Sequence, residues 1–218
     1  DAFQDCASIT SIIIPDSVTS IGYSAFNGCS SLTEISIPNS ITSIEDYTFS
    51  YCSALTDISI PNSVTSIGYS VFSECSSLTS LLIPDSVTSI DDSAFSYCSS
   101  LSEIVIPDSV TSIGNRTFYD CTALTDISLP DSITSIGNDA FRGCSNITEI
   151  HISDIAKWCN IDFKASFFNP SNPLYNKNAC LYVSGNKITE LIIPEGVDSI
   201  KNYAFYNCDQ LTSVTIPN

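Results

Sequence analysis

Apolar residues recur along this chain with a period of twenty-three residues, far longer than the 3.6-residue spacing of one amphipathic helix. The stretch Leu124 to Asn146, LTDISLPDSITSIGNDAFRGCSN, is one full cycle. Counted back one cycle at a time, Phe141 becomes Phe118, Phe95, Phe72, Phe49, Phe26 and Phe3. Cys144 becomes Cys121, Cys98, Cys75, Cys52, Cys29 and Cys6, and Pro130 becomes Pro107, Pro84, Pro61, Pro38 and Pro15. The piece L-x-x-I-x-I-P, as in Leu55, Ile58 and Ile60, predicts a short strand, because alternation puts its last two apolar residues on one face. Proline then ends the ladder, having no N–H to donate, and Pro-Asp-Ser or Pro-Asn-Ser predicts a tight turn. V-T-S-I adds two more inward aliphatics, Val64 and Ile67 in one cycle. In S-A-F-N-G-C, Phe26 and Cys29 stand three apart, which predicts one helical turn with both on the same face.

A repeat of this size marks a solenoid. One coil buries too little apolar surface to offset the ordering of its own backbone, so stacking has to cover both faces of every coil. With strands about 4.8 Å apart, nine coils would make a rod roughly 40 Å long. The expected spine is Phe26, Phe49, Phe72, Phe95, Phe118, Phe141 and Phe205, with Cys29, Cys52, Cys75, Cys98, Cys121, Cys144 and Cys208.

The register breaks once. Phe141 and Phe205 lie 64 residues apart, eighteen more than two periods. The expected organisation is therefore regular coils over 1–153, an irregular insert over 154–187, and final coils over 188–218, all in one domain. The insert holds the only tryptophan, Trp158, the aromatics Phe163, Phe167, Phe168, Tyr175 and Tyr182, and four of the seven bases. Gly185-Asn186 between apolar runs signals a hairpin. The segment reads either as a larger coil packing its own satellite core or as a dedicated recognition loop.

Charge narrows the partners. The net charge is −17, and no Lys or Arg precedes Arg116. Such a surface repels phosphate backbones and anionic lipid, so neither nucleic acid nor direct membrane contact is expected. No apolar run approaches a membrane span, and no signal peptide is visible. With no methionine and a repeat cut at either end, the chain reads as part of a longer protein.

The L-x-x-L-x-L skeleton resembles leucine-rich repeats. More narrowly, I-P-x-S-V-T-S-I-G-x-x-A-F-x-x-C-x-x-L resembles the BspA-like, or Treponema-type, subclass of surface proteins from bacteria and parasitic protists. The resemblance covers 1–153 and 188–218, and the Trp158-Cys159, Asn172-Pro173-Leu174 and Leu181-Tyr182-Val183 pieces resemble an insert of such arrays. It implies a leucine-rich repeat solenoid, a right-handed curved rod with a parallel concave sheet. It also implies a cell-surface or secreted adhesion module that binds a protein ligand, such as host matrix or another cell-surface protein. Ser17, Ser40, Ser63, Ser86, Ser109 and Ser132 stand near the usual asparagine slot, so the family's asparagine ladder does not carry over.

Candidate chemistry is sparse, and no cofactor is implied. The cysteine slot has no C-x-x-C pair for zinc. Stacked thiols that point one way do not meet disulfide geometry, so a buried free-thiol spine is expected. Cys159 and Cys180 lie off the lattice, where a pair is an open alternative. The single histidine, His151, is expected on the solvent face beside Glu149; an enzyme site there is one rival reading, and a purely structural spacer array for another domain of the parent protein is the other. Glu34, Asp57, Glu103, Asp126, Glu149 and Glu190 share one outward strand position, interrupted by Ser80. This stripe, with His151, is the candidate partner-binding face; one carboxylate per coil does not supply the 6–8 oxygens of a calcium site. The column Thr19 to Thr134 resembles ice-binding arrays but also suits an extended edge. Two N-x-T sequons, at Asn115 and Asn146, would matter in a secreted eukaryotic chain.

Overall fold

The computed structural model of the chain describes residues 1–165, 171–176 and 178–217. Phe167, Phe168 and Lys177 of the insert lie outside the described residues. Three-residue strands Glu34–Ser36, Asp57–Ser59, Ser80–Leu82, Glu103–Val105 and Asp126–Ser128 recur at the expected step, each with only its middle residue buried. They stack in parallel and in register, Ile35 on Ile58, Leu81 on Ile104 and Ile127 on Ile150. A second column of two-residue strands, including Ser43–Ile44, Ser66–Ile67 and Ser89–Ile90, buries its isoleucines the same way. The result is a parallel β-solenoid of about nine turns.

The corner that carries Phe and Cys is not helical. In each coil alternate amides close i→i−3 turns, as Ala25 to Gly22, Asn27 to Ser24 and Cys29 to Phe26. The amides between them donate to the next coil: Ser24 to the Asp46 carbonyl, Phe26 to Thr48 and Gly28 to Ser50. A helix would spend every amide inside its own coil, whereas this arrangement ties each corner to its neighbour. It requires a left-handed residue at both ends of the corner. Ser24, Tyr47, Ser70, Ser93, Arg116 and Asp139 fill one end, and Gly28, Tyr51, Glu74, Tyr97, Asp120 and Gly143 the other, with φ between 51° and 82°.

Side chains add further ladders. Ser40, Ser63, Ser86, Ser109 and Ser132 donate their hydroxyls to the carbonyls of Val18, Ile41, Val64, Val87 and Val110 at 2.5–2.7 Å. They satisfy carbonyls of the preceding coil. Thr65, Thr88 and Thr134 likewise donate to Thr42, Thr65 and Thr111, which gives the threonine column an internal task. Seven rings from Phe3 to Phe141 stack nearly parallel, centroids 5.4–5.7 Å apart. Each thiol from Cys29 to Cys144 donates to the Phe carbonyl of the coil before, at 2.9–3.2 Å. Cysteine here is more than a small hydrophobe. It packs in a fully buried slot and satisfies a second lone pair there.

The coil after Asp126–Ser128 is enlarged. Strand Glu149–Ile152 leads into the helix Ile155–Cys159, whose N-cap Asp154 accepts from the Ala156 amide. The chain regains the second column at Asp162–Phe163, which pairs with Ser135–Ile136, and returns through Pro173–Tyr175 to strand Cys180–Val183. That strand pairs with Glu149–Ile152 and folds back on Asn186–Lys187. The hairpin turn is centred on Ser184 and Gly185, both left-handed, one residue earlier than the Gly-Asn signal suggests. Trp158, Phe163, Leu174 and Leu181 join the main core rather than a separate one. Among the described residues, Cys159, Leu191 and Ile193 form a small satellite core. Phe205 is half-buried against both cores, and no ring contact joins it to the phenylalanine stack among the described residues, so the spine ends at Phe141.

Candidate functional site: the exposed strand face

The three-residue strands place two side-chain columns outward. In the first, Glu34 lies beside Asp57, Ser80 beside Glu103, and Asp126 beside Glu149. The partner of Glu149 on its far side is Cys180, because the enlarged coil supplies the next strand. Glu190 instead pairs with Ser213 in a separate two-stranded sheet, Glu190–Ile192 with Ser213–Thr215. The acidic column therefore ends at Glu149. Sequence spacing could not show this, since the lengthened coil and the hairpin together displace the register.

The second outward column runs Ser36, Ser59, Leu82, Val105, Ser128, His151 and Tyr182, with Ser36 beside Ser59, Leu82 beside Val105, and His151 between Ser128 and Tyr182. Leu82 is 75% exposed and Val105 53% exposed, in register with one another. This apolar pair is set among Ser80, Glu103 and the flanking carboxylates. The outward alternation of the face was legible in the sequence, but its apolar centre was not singled out there.

At the end of the stripe, Nε2 of His151 lies 3.1 Å from Oε2 of Glu149, and the imidazole leans on the Tyr182 ring with centroids 4.9 Å apart. The Tyr182 hydroxyl reaches the other Glu149 oxygen at 3.4 Å. Ser128 adjoins His151 across the sheet, but no hydrogen bond joins its hydroxyl to the ring. Among the described residues no three His, Cys, Asp or Glu side chains converge as a cation would need.

The cysteines are all thiols, Cys159 and Cys180 included. Burial pushes Cys52 up to about 12 and Cys75, Cys98 and Cys121 well above the ordinary thiol value, so these four thiols stay protonated and unreactive near neutrality. Both sequons are held by neighbouring coils. Asn115 donates its amide to Asp92 and accepts from the Asn138 amide, while Thr117 is buried. Asn146 donates to the Thr122 carbonyl. Asp46 and Asp92 also accept from the backbone of Tyr69 and Asn115. This reach needs glycine alongside, since a Cβ on Gly68 or Gly114 would stand 2.5 Å from those carboxylates.

Comparison with known proteins places the chain within a known architecture. The BspA type Leucine rich repeat region matches residues 1–124, 88–172 and 174–218 in six copies. A leucine-rich repeat protein of Treponema pallidum superposes with a TM-score of 0.54 at 24% identity, over 84% of this chain and 68% of that one. Another, from Bacteroides ovatus, is 25% identical over 95% of this chain and 69% of that chain, with a TM-score of 0.41. No curated protein matches the sequence.

Proposed function

The chain belongs to the BspA type leucine-rich repeat family, and from that premise we propose that it is a non-enzymatic protein-binding module displayed outside the cell. Its contact surface is the exposed strand face from Glu34 to His151. The observation that carries this reading is the contrast between the two sides of one strand. The inward residues Ile35, Ile58, Leu81, Ile104 and Ile127 scarcely change from coil to coil. The outward ones run from carboxylate to serine to aliphatic, and they include the exposed Leu82 and Val105 pair. An exposed apolar centre with a charged surround has the anatomy of a protein-binding patch. Like charges at strand spacing repel, and a basic or cation-bearing partner relieves that repulsion. The net charge of −17 favours such a partner over nucleic acid or an anionic membrane.

The test is binding to immobilised extracellular-matrix proteins at increasing salt. Reversing Glu34, Asp57, Glu103 and Asp126 to lysine should weaken capture by about tenfold or more and remove its salt dependence. His151→Ala, at the edge of the face, should weaken capture far less than the four charge reversals do. Turnover of a substrate by the purified chain, abolished by His151→Ala, would show this reading to be wrong.

A further inference from the structure

The corner edge of the solenoid carries a second exposed feature, distinct from the strand face. Tyr23, Tyr47 and Tyr69 come from three successive coils and touch edge to face, with centroids 5.4 and 5.1 Å apart. Tyr23 is 55% exposed and Tyr69 38% exposed. Tyr47 occupies the left-handed corner position, φ 57°, where the coils on either side place Ser24 and Ser70. A bulky aromatic there is strained backbone, retained only where the fold over-determines it. From this position the Tyr47 ring lies between its two neighbours.

The same corner shows what such rings receive. Two coils further on, Tyr119 lies between Arg116 and Arg142, with guanidinium carbons 5.8 and 5.7 Å from its ring centroid. The protein thus sets its own arginines on a tyrosine elsewhere in the corner, next to Tyr97. Among the described residues no guanidinium lies against the rings of Tyr23, Tyr47 or Tyr69, and no Lys or Arg precedes Arg116. Glu45 and Asp91 are exposed beside the ladder, and Asp46 and Asp92 alternate with its tyrosines along one column. A shallow depression of about 530 Å³ adjoins Tyr69 and Asp92 at one end of the tyrosine row and extends to Arg116 and Asp139.

We infer that the Tyr23–Tyr47–Tyr69 edge is a docking site for an arginine-rich segment of a partner protein. Guanidinium groups stack on the tyrosine faces while the neighbouring carboxylates balance their charge. Arginine is favoured over lysine because its planar, weakly hydrated cation stacks on an aromatic face as well as pairing with a carboxylate.

The experiment is fluorescence anisotropy of labelled nona-arginine and nona-lysine peptides against the intact chain. The arginine peptide should bind several-fold tighter than the lysine peptide. Tyr23→Ala with Tyr69→Ala should weaken the arginine peptide by about tenfold and abolish the preference, whereas Tyr23→Phe with Tyr69→Phe should keep both. Tyr23→Ala alone, at the most exposed ring, reads the same effect at smaller amplitude if the double variant is unstable. Neutralising Glu34, Asp57, Glu103 and Asp126 on the strand face should weaken both peptides alike and leave the preference intact, which separates this site from the proposed adhesion face. Equal binding of the two peptides, no binding of either, or a preference that survives both alanine variants would overturn the inference.

Discussion

In the regular coils, Phe26, Phe49 and Phe72 donate their amides to Thr48, Val71 and Ala94, and each thiol returns a bond to the Phe carbonyl one coil back. Around the enlarged coil, side-chain amides and the indole make the corresponding contacts one at a time. Trp158 Nε1 donates to the Ala204 carbonyl at 2.7 Å. Asn172 donates to Tyr203 and Ala204, Asn176 to Cys144, and Asn207 to Tyr175. Among the described residues, the two buried side-chain atoms without a partner, Ser171 Oγ and Gln210 Nε2, also belong to this end of the molecule. Where translation by one coil maps a backbone onto itself, a donor that fits once fits in every coil. Once the register is lost, each polar group needs an individual partner, and asparagine, with donor and acceptor on one short stem, supplies most of them.

The largest test of this contrast is alkaline pH. A thiol whose pKa is raised on folding keeps its proton in the folded chain while the unfolded chain ionises, so stability is full below pH 9 and is lost as pH rises toward the folded value. Cys52 has its value pushed up to about 12, with Cys75, Cys98 and Cys121 also well above 9.0. Each should cost on the order of 1 kcal/mol near pH 10, and the four together several kcal/mol. Thermal melts from pH 7 to 10.5 should show a steep fall, and a flat profile would contradict the buried-thiol ladder. At pH 8, iodoacetamide should modify the half-buried Cys6 and Cys180 well before the ladder thiols.

Next in size is Phe72→Ala, which removes a fully buried ring between Phe49 and Phe95. The expected loss is about 3–5 kcal/mol. Because a solenoid is stabilised by nearest-neighbour contacts, far-ultraviolet circular dichroism in urea should resolve two transitions on either side of the gap. Retention of one cooperative transition at the wild-type midpoint would mean the stack contributes little.

The smallest effect belongs to the enlarged coil. Trp158→Phe keeps an aromatic against Phe163 but leaves the Ala204 carbonyl without the indole. A loss of about 1–2 kcal/mol is expected, confined to the C-terminal coils. Hydrogen exchange should accelerate around 190–215 and stay unchanged around Phe49 and Phe72; acceleration along the whole chain would show that the two regions unfold as one.

Sequence alone determined the period, the parallel coils, the inward residues and the absence of an asparagine ladder. Each of these follows from a pattern repeated often enough that only one face of Ile35, Ile58 or Ile104 can be buried. It also located the register break, since a missed phase is as visible as a kept one. Three matters were decided only by the folded chain. The Phe-Cys corner is a ladder of turns because alternate amides find acceptors one coil away, and i, i+3 spacing cannot distinguish that from a helix. Glu190 leaves the acidic column and Phe205 leaves the stack because the enlarged coil and its hairpin supply intervening backbone whose path no period describes. The tyrosine edge forms because Tyr47 sits one position away from the column of Tyr23 and Tyr69, a displacement that becomes ring contact only when the coils are stacked. Repetition encodes what adjacent coils share; contacts made once depend on where the chain travels between repeats.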